Sequence, residues 1–284
     1  MQILFIMSTF KNTVGVAAAI FFSSCSGNES KTTTATENKM GAHIKAETIS
    51  YQQDSLSLQG FAAWDTAAKG KRPVVMVVHE WWGLTNYTRS RVKQLAALGY
   101  FAFAVDMYGN GATADNPTLA GEMSAPFYKD AVMARNRFDA GLAKALSFAV
   151  ADSSKVAAIG YCFGGTQVLN FALLGDKLNA VVSFHGGLKT TPPFEKNVLK
   201  SAVLVCHGEA DPFVPEAEAA AFKKGMDSIG APYTFKGYAN ASHAFTNPDA
   251  TELGKKFNLP IAYNAAADSA SWQDMKQFLE KAFQ

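Results

Sequence analysis

The chain has 284 residues, of which 48% are hydrophobic and 18% charged, and its formal net charge is +2. This composition is typical of a globular protein with a substantial core, and without a basic stripe it argues against a nucleic-acid partner. The three cysteines, Cys25, Cys162 and Cys206, are too few for a disulfide framework and show no metal-ligand spacing. Neither a metal ion nor another cofactor is therefore predicted.

Residues 1–25 have the layout of a secretory signal, with Lys11 before a short apolar stretch and small residues leading to Cys25. The apolar stretch is shorter than the ~20 residues that a membrane-spanning helix needs. The letters FSSC resemble a bacterial lipobox, in which the cysteine is lipidated; cleavage near Ser24 without lipidation is the alternative. We expect an exported lipoprotein, held at the membrane by a lipid anchor only, on the periplasmic or outer-membrane side of a bacterium.

Residues 26–47 are polar, rich in threonine and almost without large apolar side chains. Such a segment buries too little apolar surface to fold, so a flexible polar tether is predicted. The pattern changes at Thr48, and residues 48–284 are predicted to form one domain.

Short, continuous apolar runs recur through that domain, and each predicts a strand buried on both faces of a sheet. The five runs cover residues 73–80, 101–107, 156–162, 180–186 and 202–208. Two earlier segments, 47–53 and 56–64, alternate in polarity and predict an antiparallel edge hairpin, and residues 233–238 are also strand-like.

Segments with helical spacing separate the strands. Residues 86–99 are expected to end at Gly99, residues 215–225 at Gly225, and residues 269–283 form a terminal amphipathic helix. Strands that alternate with helices predict an α/β domain with a mainly parallel, doubly wound sheet and helices on both faces.

Side chains that carry chemistry follow several of these strands. In a doubly wound sheet, active groups gather beyond the carboxyl ends of the strands. His243 follows residues 233–238 through a short loop. The other candidates at this edge are Glu80, Cys162, His185, His207 and Asp211.

The stretch GYCFGG, residues 160–165, has the G-x-S-x-G pattern of a nucleophile elbow with cysteine in place of serine. The tight turn strains the nucleophile, and the glycines let neighbouring backbone approach closely. The helical run from Thr166 to Leu174 directs its positive end at the sulfur, which favours the thiolate. We predict that Cys162 is a nucleophile rather than a buried structural cysteine, and interpret Cys206 as the structural one.

A nucleophile of this kind needs a base and an acid that orients the base, in the chain order nucleophile, acid, histidine. Asp211 lies in a turn after a strand, and Glu209 is the competing acid. His243 comes late in the chain, as the order requires. His185 and His207 are the competing bases, and each is otherwise interpreted as a hydrogen-bonded histidine at the sheet edge.

Four motifs together resemble the dienelactone hydrolase family of α/β hydrolases: HEWWGL, GYCFGG, HGEADPFVP and SHAF. The resemblance extends from Thr48 to the C-terminus. It implies an α/β-hydrolase fold with a triad of Cys162, Asp211 and His243 that cleaves a small ester or lactone through an acyl-thioester intermediate.

The same resemblance assigns roles to three residues near the nucleophile. It implies a glutamate close to the resting cysteine, at Glu80, which could hold the thiol until substrate binds. A structural salt bridge from Glu80 to an arginine of the first helix, Arg89 or Arg91, is the alternative. It also implies an oxyanion hole formed by the backbone N–H groups of Trp81 and Phe163.

Substrate preference depends on two groups of side chains. The aromatic residues predicted to line an apolar pocket are Trp81, Trp82, Tyr108 and Phe163. The family binds the carboxylate of dienelactone with arginines, one of them just after the histidine motif, where this chain has Thr246. The arginines predicted to form surface pairs instead are Arg89, Arg91, Arg135 and Arg137. Neutral or apolar esters and lactones are therefore the expected substrates.

Two other classes of function stay open on the sequence. One is a lipoprotein that uses the same cleft to bind a ligand without turning it over, because fold does not fix function. The other is a metal hydrolase with His79, Glu80, His207 and Asp211 as ligands, whose spacing resembles no zinc motif.

Overall fold

The computed structural model describes residues 43–284, so the predicted signal segment, Cys25 and the predicted tether up to residue 42 lie outside the described residues. The first strand begins at Ile44, before the predicted domain boundary at Thr48, because Ile44 and Ala46 pack against the core. Between residues 43 and 284, no helix combines the length and the apolar character needed to cross a bilayer.

Eight strands form one sheet in the order β1-β2-β4-β3-β5-β6-β7-β8. Their bounds are β1 Ile44–Gln53, β2 Leu56–Asp65, β3 Arg72–Val78, β4 Phe101–Val105, β5 Ala151–Tyr161, β6 Ala180–Phe184, β7 Ala202–Gly208 and β8 Tyr233–Tyr238. The β1–β2 and β2–β4 pairs are antiparallel and the others are parallel. The predicted edge hairpin and mainly parallel sheet are confirmed.

The sheet separates two cores, and strand β3 shows how the sequence produces them. Val74, Met76 and Val78 contribute to one core, whereas Val75 and Val77 contribute to the other. Successive side chains of a strand point to opposite faces, so a strand covered on both sides must be apolar at every position. This is the physical reason for the continuous apolar runs in the sequence.

Seven helices cover the two faces of the described domain. Their bounds are α1 Asn86–Ala97, α2 Pro117–Lys129, α3 Ala131–Leu146, α4 Phe163–Leu173, α5 Glu216–Ile229, α6 Ala250–Phe257 and α7 Ala265–Ala282. On one face, α1 and α7 bury Leu95 and Met275. On the other, α3, α4 and α5 bury Phe138, Phe171 and Phe222. The arrangement is an α/β-hydrolase fold with helices on both faces.

Helix ends follow the sequence signals in one case and depart from them in another. Helix α1 stops just before Gly99, whose φ of +94° confirms the predicted stop. The predicted stop at Gly225 is wrong, because α5 continues to Gly230, where φ is +66°. A Cβ at Gly225 would lie 2.5 Å from the Phe194 ring, so this glycine allows close packing within the helix. Helices α2 and α6 do not stand out in the sequence.

The strand order reverses between β3 and β5. The chain moves outward from β3 to β4 and then returns to β5 on the other side of β3. The loops that follow β3 and β5 therefore diverge and leave a crevice at the carboxyl ends of these strands, which is where ligands bind in open α/β sheets. Glu80 and Cys162 lie on these two loops.

Candidate active site

Cys162 occupies a strained turn between β5 and α4. Its φ of +53° and ψ of −115° lie outside the regions that non-glycine residues favour. Its backbone N–H donates to the Phe184 carbonyl at 3.0 Å and to His185 Nδ1 at 3.1 Å. Strain of this kind persists only where surrounding contacts fix the backbone, as these two bonds do.

Two glycines permit this turn. A Cβ at Gly160 would lie 2.0 Å from the Gly164 carbonyl oxygen, and one at Gly164 would lie 2.2 Å from the Val78 carbonyl oxygen. No real side chain tolerates such distances, so any other residue would push α4 away from β3 and β5. The glycines of GYCFGG are therefore explained by close packing of backbone around the turn.

The structure brings Cys162, His243 and Asp211 together in one line. His243 Nε2 lies 3.0 Å from Cys162 Sγ, and His243 Nδ1 lies 2.8 Å from Asp211 Oδ2. The other carboxylate oxygen of Asp211 accepts the Phe213 N–H at 2.9 Å, which fixes the orientation of the carboxylate. This is the geometry of a nucleophile, a base and the acid that orients the base.

The charge of His243 follows from its two partners. Burial by itself lowers the pKa of His243, but the Cys162 sulfur and the Asp211 carboxylate raise this pKa well above its ordinary value. The imidazole therefore carries its second proton at neutral pH when the sulfur is ionised. The pair can store the thiolate as an ion pair with imidazolium.

The competing acid and one competing base lie away from this line. Glu209 is exposed and packs against Gly237, where a Cβ would lie 2.2 Å from the carboxylate. His207 packs its ring against Phe235, and its Nδ1 has no partner among the described residues. Neither residue contacts Cys162 or His243 through a described hydrogen bond.

His185 lies beside the line but has a different set of partners. Its Nδ1 accepts the Cys162 N–H, and its Nε2 lies 2.7 Å from the Thr246 hydroxyl. Burial, followed by the charge of His243, lowers the pKa of His185 well below its ordinary value. His185 is thus a neutral, hydrogen-bonded histidine at the sheet edge, which is the structural interpretation that the sequence offered.

Glu80 is buried in the same crevice and has a neutral partner. Its Oε2 accepts a hydrogen bond from Asn247 Nδ2 at 2.7 Å. Burial raises the pKa of Glu80 to about 7, although the Asn247 bond and the charges of His243 and Arg91 lower it in part. The carboxyl group therefore gains and loses its proton close to neutral pH.

The salt-bridge alternative for Glu80 is wrong, since no described ion pair includes it. Arg91 is buried and not at the surface as predicted. It pairs with Asp268 and donates to the Thr246 carbonyl at 2.6 Å. Arg89 donates to the Thr48 hydroxyl at 3.3 Å.

Two backbone N–H groups on the loops that carry Glu80 and Cys162 have no acceptor among the described residues. Within residues 43–284, the N–H groups of Trp81 and Phe163 make no hydrogen bond, whereas the Gly164 N–H donates to the His79 carbonyl at 3.1 Å. Free donors from the β3 loop and from the residue after the nucleophile are the expected parts of an oxyanion hole. The structure leaves both predicted donors available.

His79 holds the loop that carries Trp81. Its Nδ1 donates to the Glu80 carbonyl at 2.6 Å, and its Nε2 accepts the Met107 N–H at 3.3 Å. Burial lowers the pKa of His79 to about 4, so the ring is neutral. Because both nitrogens are engaged, the alternative metal site is not assembled. The part of the chain that the structure describes contains no cluster of three or more His, Cys, Asp or Glu residues placed to hold a metal ion.

A pocket of about 780 Å³ opens over the sulfur. Trp82 lines it as predicted, together with Glu80, Cys162 and His243. Its apolar wall includes Trp81, Ala244, Leu259 and Ile261, and its polar wall includes Ser124, Tyr128, Thr166, Lys189 and Glu218.

Three residues expected in the pocket, Tyr108, Phe163 and Thr246, do not line it, and Phe163 is fully buried in the core. Tyr108 lies behind Trp81, because its hydroxyl donates to the Trp81 carbonyl at 2.8 Å. Thr246 is buried beneath the pocket, where its hydroxyl lies 2.6 Å from the Tyr87 hydroxyl and also bonds His185. These predictions assumed that a residue close to the site in sequence is also exposed to the pocket.

The sequence predicted that four arginines form surface pairs and stay out of the pocket. Only the second part is confirmed for all four. Arg135 pairs with Asp176 and Arg137 bonds the Met107 carbonyl. Among the described residues that line the pocket there is no arginine, and Lys189 is the one lysine.

Sequence reasoning missed one residue of the site, Asn247. It fixes Glu80 across 167 positions of the chain. A signal was present, since Asn247 lies two residues after the histidine motif, in the segment that carries His243. An amide there can satisfy a buried carboxyl group, but the pairing depends on how that loop packs.

Comparison with known proteins identifies similar chains. The model of the family described as "Dienelactone hydrolase family" matches residues 58–283. Protein usf of Aquifex pyrophilus is 28% identical over 230 residues, which cover 76% of this chain and 96% of that protein. The solved structure named m3DLH is 32% identical, with a TM-score of 0.81, and covers 86% of this chain and all of that chain. A dienelactone hydrolase-like promiscuous phosphotriesterase, P91, from metagenomic libraries is also 32% identical with the same coverage and a TM-score of 0.78.

Proposed function

The chain belongs to the dienelactone hydrolase family and is an ester or lactone hydrolase, and from this premise we propose that Cys162 is its nucleophile and that the reaction passes through an acyl-thioester. The observation that carries the proposal is the 3.0 Å separation of Cys162 Sγ and His243 Nε2, with Asp211 behind the histidine. A cysteine that is only structural has no need of this aligned pair.

In the first half of the proposed reaction, the Cys162 thiolate attacks the carbonyl carbon and a C–S bond forms. The electron pair of the C=O bond moves to the oxygen, which accepts hydrogen bonds from the Trp81 and Phe163 N–H groups. Each such donor typically contributes about 10²–10³ in rate. The intermediate then collapses, and the departing alkoxide takes a proton from the His243 imidazolium.

In the second half, His243 takes a proton from water, and the hydroxide attacks the thioester carbonyl. The C–S bond breaks and the sulfur leaves as thiolate, so the ion pair with the imidazolium is restored. One ester and one water give one acid and one alcohol. Asp211 keeps Nδ1 protonated throughout, which leaves Nε2 as the nitrogen that exchanges protons.

Glu80 is proposed to hold the resting state. Its carboxyl group lines the pocket that contains Cys162, and its pKa of about 7 lets it exchange a proton with the sulfur near neutral pH. Substrate that enters the pocket would separate Glu80 from Cys162 and leave the thiolate paired with His243.

Turnover of a neutral aryl ester such as 4-nitrophenyl butyrate tests the hydrolytic proposal. We expect a burst of nitrophenolate and a thioester on Cys162 that mass spectrometry detects after rapid acid quenching. Modification at any other residue would reject Cys162 as the nucleophile. Complete absence of turnover across aryl esters, thioesters and lactones would instead favour the ligand-binding alternative.

Neutral substrates are proposed because no arginine is among the described residues that line the pocket. Without a bidentate cationic partner, a substrate carboxylate loses its solvation and gains little. The kcat/KM of a neutral ester should exceed that of its carboxylate analogue at low salt. The reverse order would mean that Lys189 supplies the missing charge.

Hydrolysis of neutral phosphotriesters is a second candidate activity. It is favoured by the 32% identity to P91, which is described as a promiscuous phosphotriesterase. Release of nitrophenolate from diethyl 4-nitrophenyl phosphate by the wild type, and none by Cys162→Ala, would establish it. Equal release by both proteins would assign it to another site.

Anchoring through Cys25 is also proposed, on the sequence alone. The signal-like segment ends at this cysteine, and stable anchoring needs more than one acyl chain. Mass spectrometry of the protein from a bacterial membrane fraction should find an N-terminal, acylated Cys25. A Cys25→Ser protein that still partitions with the membrane would reject the proposal.

A further inference from the structure

Part of the pocket wall is polar, and some of its side-chain atoms have no hydrogen-bond partner among the described residues. Thr166 lies on α4, is only 2% exposed and lines the pocket, and its Oγ1 has no hydrogen bond among the described residues. A buried hydroxyl without a partner has lost its hydrogen bonds to water without replacement, so a ligand that supplies a partner is favoured there. A helical threonine often bonds the carbonyl one turn earlier, but Thr166 Oγ1 makes no such bond among the described residues.

Tyr128 and Glu218 stand close to this hydroxyl. The Tyr128 phenol is near enough to interact with Thr166, yet no hydrogen bond of normal length joins them. Glu218 Oε1 is held by the N–H groups of Leu188 and Lys189 at 2.7 and 3.0 Å. Within residues 43–284, Glu218 Oε2 makes no hydrogen bond, so one oxygen of a fixed carboxylate is free.

Gly187 leaves the space between these groups. A Cβ at this position would lie 3.2 Å from Thr166 Oγ1 and 4.0 Å from Glu218 Oε1. The gap is therefore bounded by a hydroxyl on one side and a carboxylate on the other. Lys189 also lines the pocket, but no described ion pair joins its side chain to Glu218.

We propose that Thr166, Gly187 and Glu218 form a subsite for a hydroxyl group of the substrate, so that the preferred esters or lactones carry such a group. The hydroxyl accepts from Thr166 or Tyr128 and donates to Glu218 Oε2. Thr166 follows Cys162 by one helical turn, about 5.4 Å along the axis, which places the substrate hydroxyl several bonds from the scissile carbonyl. The inference rests on the proposed hydrolysis.

Two matched pairs of esters test it, because either portion of the substrate can occupy the subsite. Glyceryl 1-monobutyrate and propyl butyrate differ in the alcohol portion, and methyl 6-hydroxyhexanoate and methyl heptanoate differ in the acyl portion. For at least one pair, kcat/KM should favour the hydroxylated member by about threefold to tenfold, the value of one or two exchanged hydrogen bonds.

Two variants and one control locate the effect. Thr166→Val removes the hydroxyl and keeps the shape, and Gly187→Ala fills the gap, so each should bring the ratio of the pair to about one. Thr88→Val is the matched control, because Thr88 is also buried with an unpartnered hydroxyl but lines no described pocket. It should leave the ratio as in the wild type.

The outcomes separate this inference from the proposal beneath it. Hydrolysis of the alkyl esters with no preference for either hydroxylated ester overturns the subsite alone. A preference that survives in both Thr166→Val and Gly187→Ala overturns it as well. No hydrolysis of any of the esters overturns the hydrolytic proposal and the subsite with it. If Thr166→Val does not fold, the ratio in Gly187→Ala decides.

Discussion

The two sides of the Cys162 turn place similar residues in opposite electrostatic states. On the pocket side, His243 has a carboxylate and a sulfur as partners, and its pKa is raised well above the ordinary value. On the sheet side, His185 has a backbone N–H and the Thr246 hydroxyl, and its pKa is lowered well below that value. The two ring centroids are only 5.4 Å apart.

Burial alone does not explain this contrast, because it lowers the pKa of both histidines. The partners decide the outcome: the Cys162 sulfur and the Asp211 carboxylate overcome the effect of burial on the pKa of His243, and the neutral partners of His185 do not. The charged imidazolium of His243 also disfavours a second charge on its neighbour. The pocket side can therefore move protons, whereas the sheet side fixes the backbone of the turn.

The largest effect is expected where the pocket side loses its proposed nucleophile. Cys162→Ala should reduce kcat by at least about 10⁴-fold and leave the thermal unfolding midpoint close to that of the wild type. Iodoacetamide should also label Cys162 well before Cys206, since burial raises the pKa of the Cys206 thiol to about 12. The control Cys206→Ala should keep its activity, and faster labelling of Cys206 would contradict the assignment.

The base and its acid should behave as one unit. Asp211→Asn and His243→Ala should each lower kcat by about 10³–10⁴-fold, because the first loses the correct tautomer and the second loses the base. The double variant should lose little more than His243→Ala does. Steady-state kinetics on all three proteins checks this, with Glu209→Gln as a control of normal rate. Multiplicative losses would show that the two residues act separately.

Glu80 should make stability depend on pH. Burial raises its pKa from an ordinary 4.5 to about 7, so between these values the native state holds a proton that the unfolded state has lost. The stability of the wild type therefore falls as pH rises through this window. Glu80→Gln removes the buried charge and keeps an acceptor for Asn247. The free energy of unfolding of this variant, relative to that of the wild type, should rise by on the order of 3 kcal/mol from about pH 4 to pH 8.

Urea unfolding of both proteins at the two pH values measures this change. Glu252→Gln is the control, because Glu252 is an exposed carboxylate and should produce no such change. A constant difference between wild type and Glu80→Gln at both pH values would mean that the pKa of Glu80 is the same in the native and unfolded states.

The smallest effect on rate is expected on the sheet side. Thr246→Val removes the hydroxyl that bonds His185 and Tyr87, and leaves both partners buried without it. We expect the free energy of unfolding to fall by about 2 kcal/mol and kcat/KM to fall less than tenfold. Thr246→Ser keeps the hydroxyl and should restore most of the stability. If a folded Thr246→Val protein had a kcat/KM as low as that of His243→Ala, the two sides of the turn would not differ in their effect on the reaction.

The sequence alone determined the parts of this protein that depend on local rules. Apolar runs predicted the strands, because a strand covered on both faces must be apolar throughout, and GYCFGG predicted the turn that presents Cys162. The order of cysteine, aspartate and histidine along the chain then indicated which side chains would meet. Each of these signals lies within a short stretch of residues or in the order of such stretches.

Only the tertiary structure decided which hydrogen-bond partners come from distant parts of the chain. Asn247, and not an arginine, bonds Glu80; Arg91 is buried against Asp268; and Thr246 supports the sheet side and does not face substrate. Each bond joins residues more than 60 positions apart, and it forms only because distant segments of the chain pack against one another. Hydrogen bonds and burial act over a few ångströms in space, so a pattern of neighbours along the chain does not encode them.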